Sequence, residues 1–112
     1  MVINQGSIIK FDFNTAVGHE QVGYRSAVVI SNNIFNSRTN LLIVLPITNT
    51  NNSFPLHVEL DDRTTTIGVV LCEHPKSIDK LAKKIIVVES LPKDILKRVL
   101  SLVRAEISIE EK

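Results

Sequence analysis

The sequence predicts a mainly β fold, a small and strongly bent antiparallel sheet or barrel followed by a C-terminal helix. Three observations carry this expectation. Short apolar or alternating segments rich in Val and Ile recur as far as Glu89, separated by connections of Asn, Asp, Ser and Thr. One stretch of helical periodicity lies near the C-terminal end. At 112 residues, the chain has room for one domain spanning residues 1–112, with a real core and no second.

The elements follow in order. In Ser7-Ile8-Ile9-Lys10-Phe11-Asp12-Phe13 the residues alternate after Ile8, with Ile9, Phe11 and Phe13 on one face and Lys10 and Asp12 on the other, a half-buried first strand. After a loop from Asn14 to Tyr24, the apolar run Ala27 to Ile30 fits a central strand buried on both faces. Ser31 to Asn36 fits a short helical turn capped by Ser31 or an Asn, with Phe35 tucked under the sheet. Leu41 to Ile47 forms the next strand, ending at Pro46, and Thr48 follows at its exit. The loop Asn49 to Ser53 is too polar to pack and reads as a flexible lip.

Leu56 to Leu60 alternates apolar and polar residues, a strand whose His57 faces solvent, and Asp61-Asp62 turns the chain. Ile67 to Cys72 is another apolar strand, and Glu73 to Asp79 is a polar cluster. Lys84 to Glu89 is the last strand. Pro92 opens the helix with Ser90 as an upstream cap, and Ile95, Val99, Leu102 or Val103, and Ile107 form its apolar stripe. The tail from Ile109 to Lys112 is expected to fray.

The bulk composition excludes several classes. An apolar fraction of 44% and a net charge of +1 describe a soluble globular protein, not one that coats duplex DNA by charge, so any nucleic acid must be held locally. Cys72 is single, which rules out an internal disulfide and fits a reducing cytoplasm; at the end of an apolar run it reads as a small buried hydrophobe rather than a reactive thiol. Met1 to Ser7 lacks the basic-then-apolar pattern of a signal peptide. The longest apolar run, seven residues, falls far short of the roughly 20 a membrane helix needs. No internal repeat, zinc spacing or phosphate-binding glycine loop occurs, and no metal or cofactor is expected.

The stretch Gly18-His19-Glu20-Gln21-Val22-Gly23-Tyr24-Arg25 stands out, because it sets an imidazole, a carboxylate, an amide and a guanidinium around two glycines just before the central strand. Glycines let a backbone approach a ligand closely, and the fork of Arg25 suits a phosphate. A phosphate ester is therefore the first expectation for a substrate. Lys76, Lys80, Lys83 and Lys84 make the one dense basic stretch, either a solvated face or a rail for a nucleic-acid backbone.

These residues, with the strand Ala27 to Ser31, resemble the signature of the MazF/PemK family of toxin endoribonucleases. Phe35-Asn36, Val44 to Thr48, and Gly68 to Asp79 agree with it in order, and His19 and Pro75 resemble the PemK branch. The resemblance implies an SH3-like, CcdB-like barrel that pairs into a homodimer with a groove across the interface. It also implies cleavage of single-stranded RNA at a short sequence, with a cognate antitoxin of the MazE/PemI kind whose acidic C-terminal segment covers the groove and through which alone the complex meets DNA. A membrane partner is not expected.

Metal-free cleavage by the ribose 2′-hydroxyl needs a proton acceptor, a proton donor and positive charge at the non-bridging oxygens. Arg25 suits the charge and Thr48 could donate to the same oxygens; these positions match those that the resemblance implies are catalytic. Glu20 is the first candidate base, His19 the second and Glu73 the third. Gln21, Asn49, His57, His74, Lys76, Lys80, Lys83 and Lys84 are candidate RNA contacts. The chain departs from the PemK pattern at Leu71, where that branch has an arginine, and at His74, where the usual residue is a glutamine. Ser26 stands where relatives usually carry proline. Two other readings stand beside this one: a gyrase-poisoning toxin of the CcdB kind, which needs an aromatic near the C-terminus, and a noncatalytic SH3-like module, which needs clustered aromatics. The chain has no Trp, one Tyr and four Phe.

Overall fold

The computed structural model describes residues 2–12, 24–50 and 53–110. Within them the elements run β1 (Ser7–Asp12), β2 (Tyr24–Val29), α1 (Asn33–Arg38), β3 (Leu41–Thr48), β4 (His57–Glu59), β5 (Val69–Leu71), β6 (Lys76–Asp79), β7 (Ile85–Ser90) and α2 (Lys93–Ile107). Every pairing is antiparallel, along the path β4-β5-β3-β2-β1-β7 with β6 added beside β3. The ends of this path are not paired with each other, so among the described residues the bent sheet remains open.

The spine is β3. On one edge Val44, Leu45 and Pro46 pair with Val29, Val28 and Ala27; on the other, Leu41 to Val44 pair with β6 and Ile47 and Thr48 with β5. The Ile30 N–H donates to the Ile43 carbonyl at 2.9 Å, which turns the peptide groups of alternate residues Val44, Pro46 and Thr48 toward the β5/β6 edge. Pro46 falls in the gap between those two partners, where its missing N–H breaks no ladder bond. The strand expected to end there therefore runs on to Thr48.

Alternation distributes side chains into two apolar layers. Ile8, Val28, Leu45, Val58 and Val70 pack beneath Ile95 and Val99 of α2. Ile9, Phe11, Ala27, Val29, Leu42, Val44, Ile78 and Ile85 form the opposite layer. Burial on both faces is why the runs at 27–30 and 42–45 are continuously apolar instead of alternating. β6 lies inside the segment expected to be only a polar cluster, because of its four residues only Ile78 is buried.

Asn32 caps α1, its Oδ1 accepting from the Phe35 N–H at 2.9 Å. The buried residue of that helix is Asn36, not Phe35, which is half-buried. Asn36 Nδ2 donates to the Ser31 carbonyl at 3.0 Å and the Ile3 carbonyl at 3.4 Å, while its Oδ1 accepts from Ser31 Oγ at 2.5 Å. An amide satisfied on all sides is a better anchor here than a ring. Ser90 does not cap α2; Pro92 occupies that position with no side-chain bond. Ile107 is 79% exposed, since the apolar layer beneath α2 ends before the helix does.

Candidate active site

The register of β2 and β3 pairs Ala27 with Pro46, and the same step continued by two residues sets Arg25 across from Thr48. Period two then decides which way they face. Arg25 shares a face with Ala27 and Val29, Thr48 with Val44 and Pro46, and Lys76 with Ile78, so the polar ends of three strands prolong the layer opposite α2. They meet around a cavity of about 270 Å³ floored by Phe11, Ala27, Val44, Pro46, Ile47 and Leu71 and rimmed by Arg25, Ser26, Thr48, His74 and Lys76. No carboxylate occurs among the described lining residues. Two fixed cations, an imidazole and two hydroxyls over an apolar floor form a pocket suited to a phosphate with a base or sugar attached.

Arg25 and Thr48 are backed by neighbours on the adjoining strand and loop. Phe11 of β1 is the cross-strand partner of Arg25. Thr48 Oγ1 accepts from the Thr50 N–H at 3.3 Å, and its backbone is pressed by Gly68. A Cβ on Gly68 would lie 2.3 Å from the Thr48 carbonyl oxygen, and its φ of +128° is one that side-chain-bearing residues rarely adopt. Sequence reasoning missed Gly68 as a support for the site; the signal was there, a lone glycine heading an apolar strand.

His57 does not face solvent, as its place in an alternating strand suggested. Its side chain is 8% exposed, with Nε2 2.8 Å from Glu73 Oε2 and the Phe54 ring edge-on at 5.2 Å. The cause is pairing: His57 stands opposite Leu71, and Glu73, two residues on, is the diagonal neighbour on the same face. His74 Nε2 lies 3.7 Å from the same Oε2. Burial pushes the Glu73 carboxyl up, but the His57 hydrogen bond, a backbone hydrogen bond and the two imidazoles outweigh it and hold the group below the usual carboxylate range. Glu73 thus sits behind His74 and outside the cavity lining.

Of the other expected site residues, His19, Glu20 and Gln21 lie outside the described residues. Asn49 is exposed beside Thr48. The lysine stretch divides: Lys76 lines the cavity, Lys83 and Lys84 lie in the turn before β7, and Lys80 is drawn away, its Nζ donating to the Asn36 carbonyl at α1. Cys72 is fully buried and burial pushes its thiol up to about 12, an inert small hydrophobe. Among the described residues no group of His, Cys, Asp and Glu could hold a metal ion, and no helix is long and apolar enough to cross a membrane.

Over residues 4–107 the chain matches the family described as PemK-like, MazF-like toxin of type II toxin-antitoxin system. It is similar to the endoribonuclease toxin MazF of Escherichia coli K12, 35% identical over 77 residues that cover 69% of this chain and 68% of that one. It is 34% identical to the endoribonuclease PemK of Escherichia coli over 104 residues, 88% of this chain and 77% of the relative. Among solved structures it is similar to the crystal structure of MazE-MazF (Form-II) from Deinococcus radiodurans, with a TM-score of 0.90 at 28% identity, covering 98% of this chain and 99% of the other.

Proposed function

Because the chain belongs to the PemK-like, MazF-like toxins of type II toxin-antitoxin systems, we propose that its cavity is the active site of an endoribonuclease that cuts single-stranded RNA at a short sequence. The observation that carries this reading is the convergence of Arg25 and Thr48 on one cavity. The ribose 2′-oxygen attacks the adjacent phosphorus in line, leaving a 2′,3′-cyclic phosphate and a 5′-hydroxyl. Arg25 clamps the charge that grows on the non-bridging oxygens, and the Thr48 hydroxyl donates to them. Lys76 holds the neighbouring backbone and His74 stands at the scissile phosphate, with Asn49 at the lip and Lys83 and Lys84 beyond it. Proton acceptance falls to Glu20 or His19; Glu73, already engaged by His57, is the weaker candidate. The scheme asks nothing of a metal ion.

A free ribonuclease that destroys messages halts growth, so this toxin acts in the cytoplasm beside a neutralising antitoxin. The Deinococcus structure holds a MazE with its MazF, which supports such a partner here. Its acidic C-terminal segment would lie across Arg25, Lys76 and the turn at Lys83 and Lys84, on a homodimer, with DNA bound only through the antitoxin. The relatives' names as endoribonucleases favour RNA cleavage over the gyrase-poisoning alternative.

The test incubates the purified protein with a long single-stranded RNA in EDTA and maps the new 5′ ends. Cuts at one short motif, lost by about 10²-fold or more in kcat for Arg25→Ala and for Thr48→Ala with fold and assembly retained, are expected. Full cleavage by either variant would sink the assignment.

A further inference from the structure

We infer that His74 donates the proton taken up by the leaving 5′-oxygen, with Glu73 as the positioning residue behind its ring and His57 as the brace that holds Glu73. This rests on the ribonuclease reading above and supplies the acid which that reading leaves unnamed. Among the described residues on the cavity rim, only His74 carries a group suited to the task. A guanidinium or ammonium holds its proton too tightly, and an aliphatic hydroxyl yields its own too reluctantly, whereas an imidazole exchanges protons near neutral pH.

The surroundings of His74 are those of a positioned acid. Arg25 of β2 and Lys76 of β6 line the same cavity in front of it. Behind it, Glu73 Oε2 lies 3.7 Å from Nε2 and is pinned at 2.8 Å by the buried His57. Glu106 of α2 adds its charge near Glu73, where burial and that neighbouring carboxylate push its own carboxyl up. Glu73 Oε1 and His57 Nδ1 are buried without a hydrogen bond among the described residues. An orphaned carboxylate oxygen is expensive, and in native structures it marks a place reserved for a donor. A small turn of the neighbouring His74 side chain would supply one, leaving the other ring nitrogen for substrate. An imidazole beside a carboxylate that is itself held from behind follows the general logic of acid–base triads.

In the step, a bond forms from the 2′-oxygen to phosphorus as the bond to O5′ breaks. The electron pair of the broken bond leaves on O5′, which takes the imidazolium proton of His74. The 2′-hydroxyl proton passes to the base on the opposite side, and exchange through water restores both groups. A glutamine at this position could hold a phosphate but would donate no proton of this kind.

The experiment uses two synthetic RNAs carrying the mapped cleavage site, one ordinary and one with sulfur replacing the bridging 5′-oxygen, since a thiolate departs without a proton. His74→Gln is expected to lower kcat on the ordinary RNA by about 10²–10³-fold with KM little changed, yet to cut the sulfur-bridged RNA at close to the parent rate. Glu73→Gln should show a smaller loss with the same rescue, which a merely structural role would not produce. The side chain of His74 is 60% exposed, so its variant should melt with the parent, and it alone decides the matter if Glu73→Gln fails to fold. Equal losses on both RNAs, or no loss on the ordinary one, would overturn the inference while leaving the ribonuclease intact. A parent protein that cuts neither RNA overturns both readings.

Discussion

At Gly68 the chain passes so close to Thr48 that no side chain fits between them. A Cβ there would also lie 2.9 Å from the Thr48 carbonyl carbon, so Gly68→Ala must move either β5 or the hydroxyl that faces the cavity. The expected cost is about 1–3 kcal/mol, because a non-glycine residue at that φ adds strain to the clash. Thermal melts should show the loss, and cleavage assays below the melting temperature should show kcat falling as well. Stability lost with kcat intact would mean that Thr48 is positioned by something else. At this scale the sequence is uneven. Arg25 and Thr48 are legible as neighbours because each flanks a continuously apolar run, so that pairing of the two strands sets them across from each other. His57 is not, since its burial comes from a diagonal neighbour in the connector after β5 that no local pattern records. Lys80 is not either, because a run of lysines does not say which of them a helix carbonyl will capture.

Among the elements, the connection from β4 to β5 is held by one carboxylate. Glu89 of β7 accepts from the Thr65 N–H at 3.0 Å and Thr65 Oγ1 at 3.0 Å, and from the Thr66 N–H at 2.8 Å and Thr66 Oγ1 at 2.7 Å. Burial alone would raise its titration, but these four donors outweigh it and bring the group to about 2, against an ordinary 4.5. A folded value below the unfolded one means that the stabilisation is complete above about 4.5 and drains away as pH falls toward 2. Glu89→Gln should therefore lower stability by about 1–2 kcal/mol at pH 7 and by progressively less in acid, read as urea midpoints across the pH range. A constant difference would show that charge is not what holds the loop. By contrast, Arg63 bridges Asp61 and Asp94 on the exposed surface, where such pairs contribute little. Element types follow from sequence where burial is strong: β2 and β3 are legible from their two-sided apolar runs and α2 from Ile95 and Val99. β6 is not, because a strand with a single buried residue has no pattern to read.

The molecule as a whole separates support from chemistry. One apolar layer lies under α2 and the other leads to the cavity, so damage to the first should be felt as stability rather than rate. Ile95→Ala is expected to cost about 2–5 kcal/mol while leaving kcat unchanged for the molecules that remain folded, measured by denaturant unfolding beside cleavage at low temperature. A matching fall in kcat would show that the layers are coupled. The mainly β class is visible from the rhythm of short strands, whereas the path they take, with one long strand serving three neighbours, depends on contacts far apart in sequence. One consequence reaches beyond the present chain. β5 and β6 share an edge of β3 without being in step, and the connector 72–75 absorbs the difference at the very mouth of the pocket. That connector behaves as an exchangeable cassette: lengthening or shortening it would swing a different side chain over the substrate while the ladders on either side keep their registration. Divergence in what such molecules cut is to be sought there before anywhere in the paired strands.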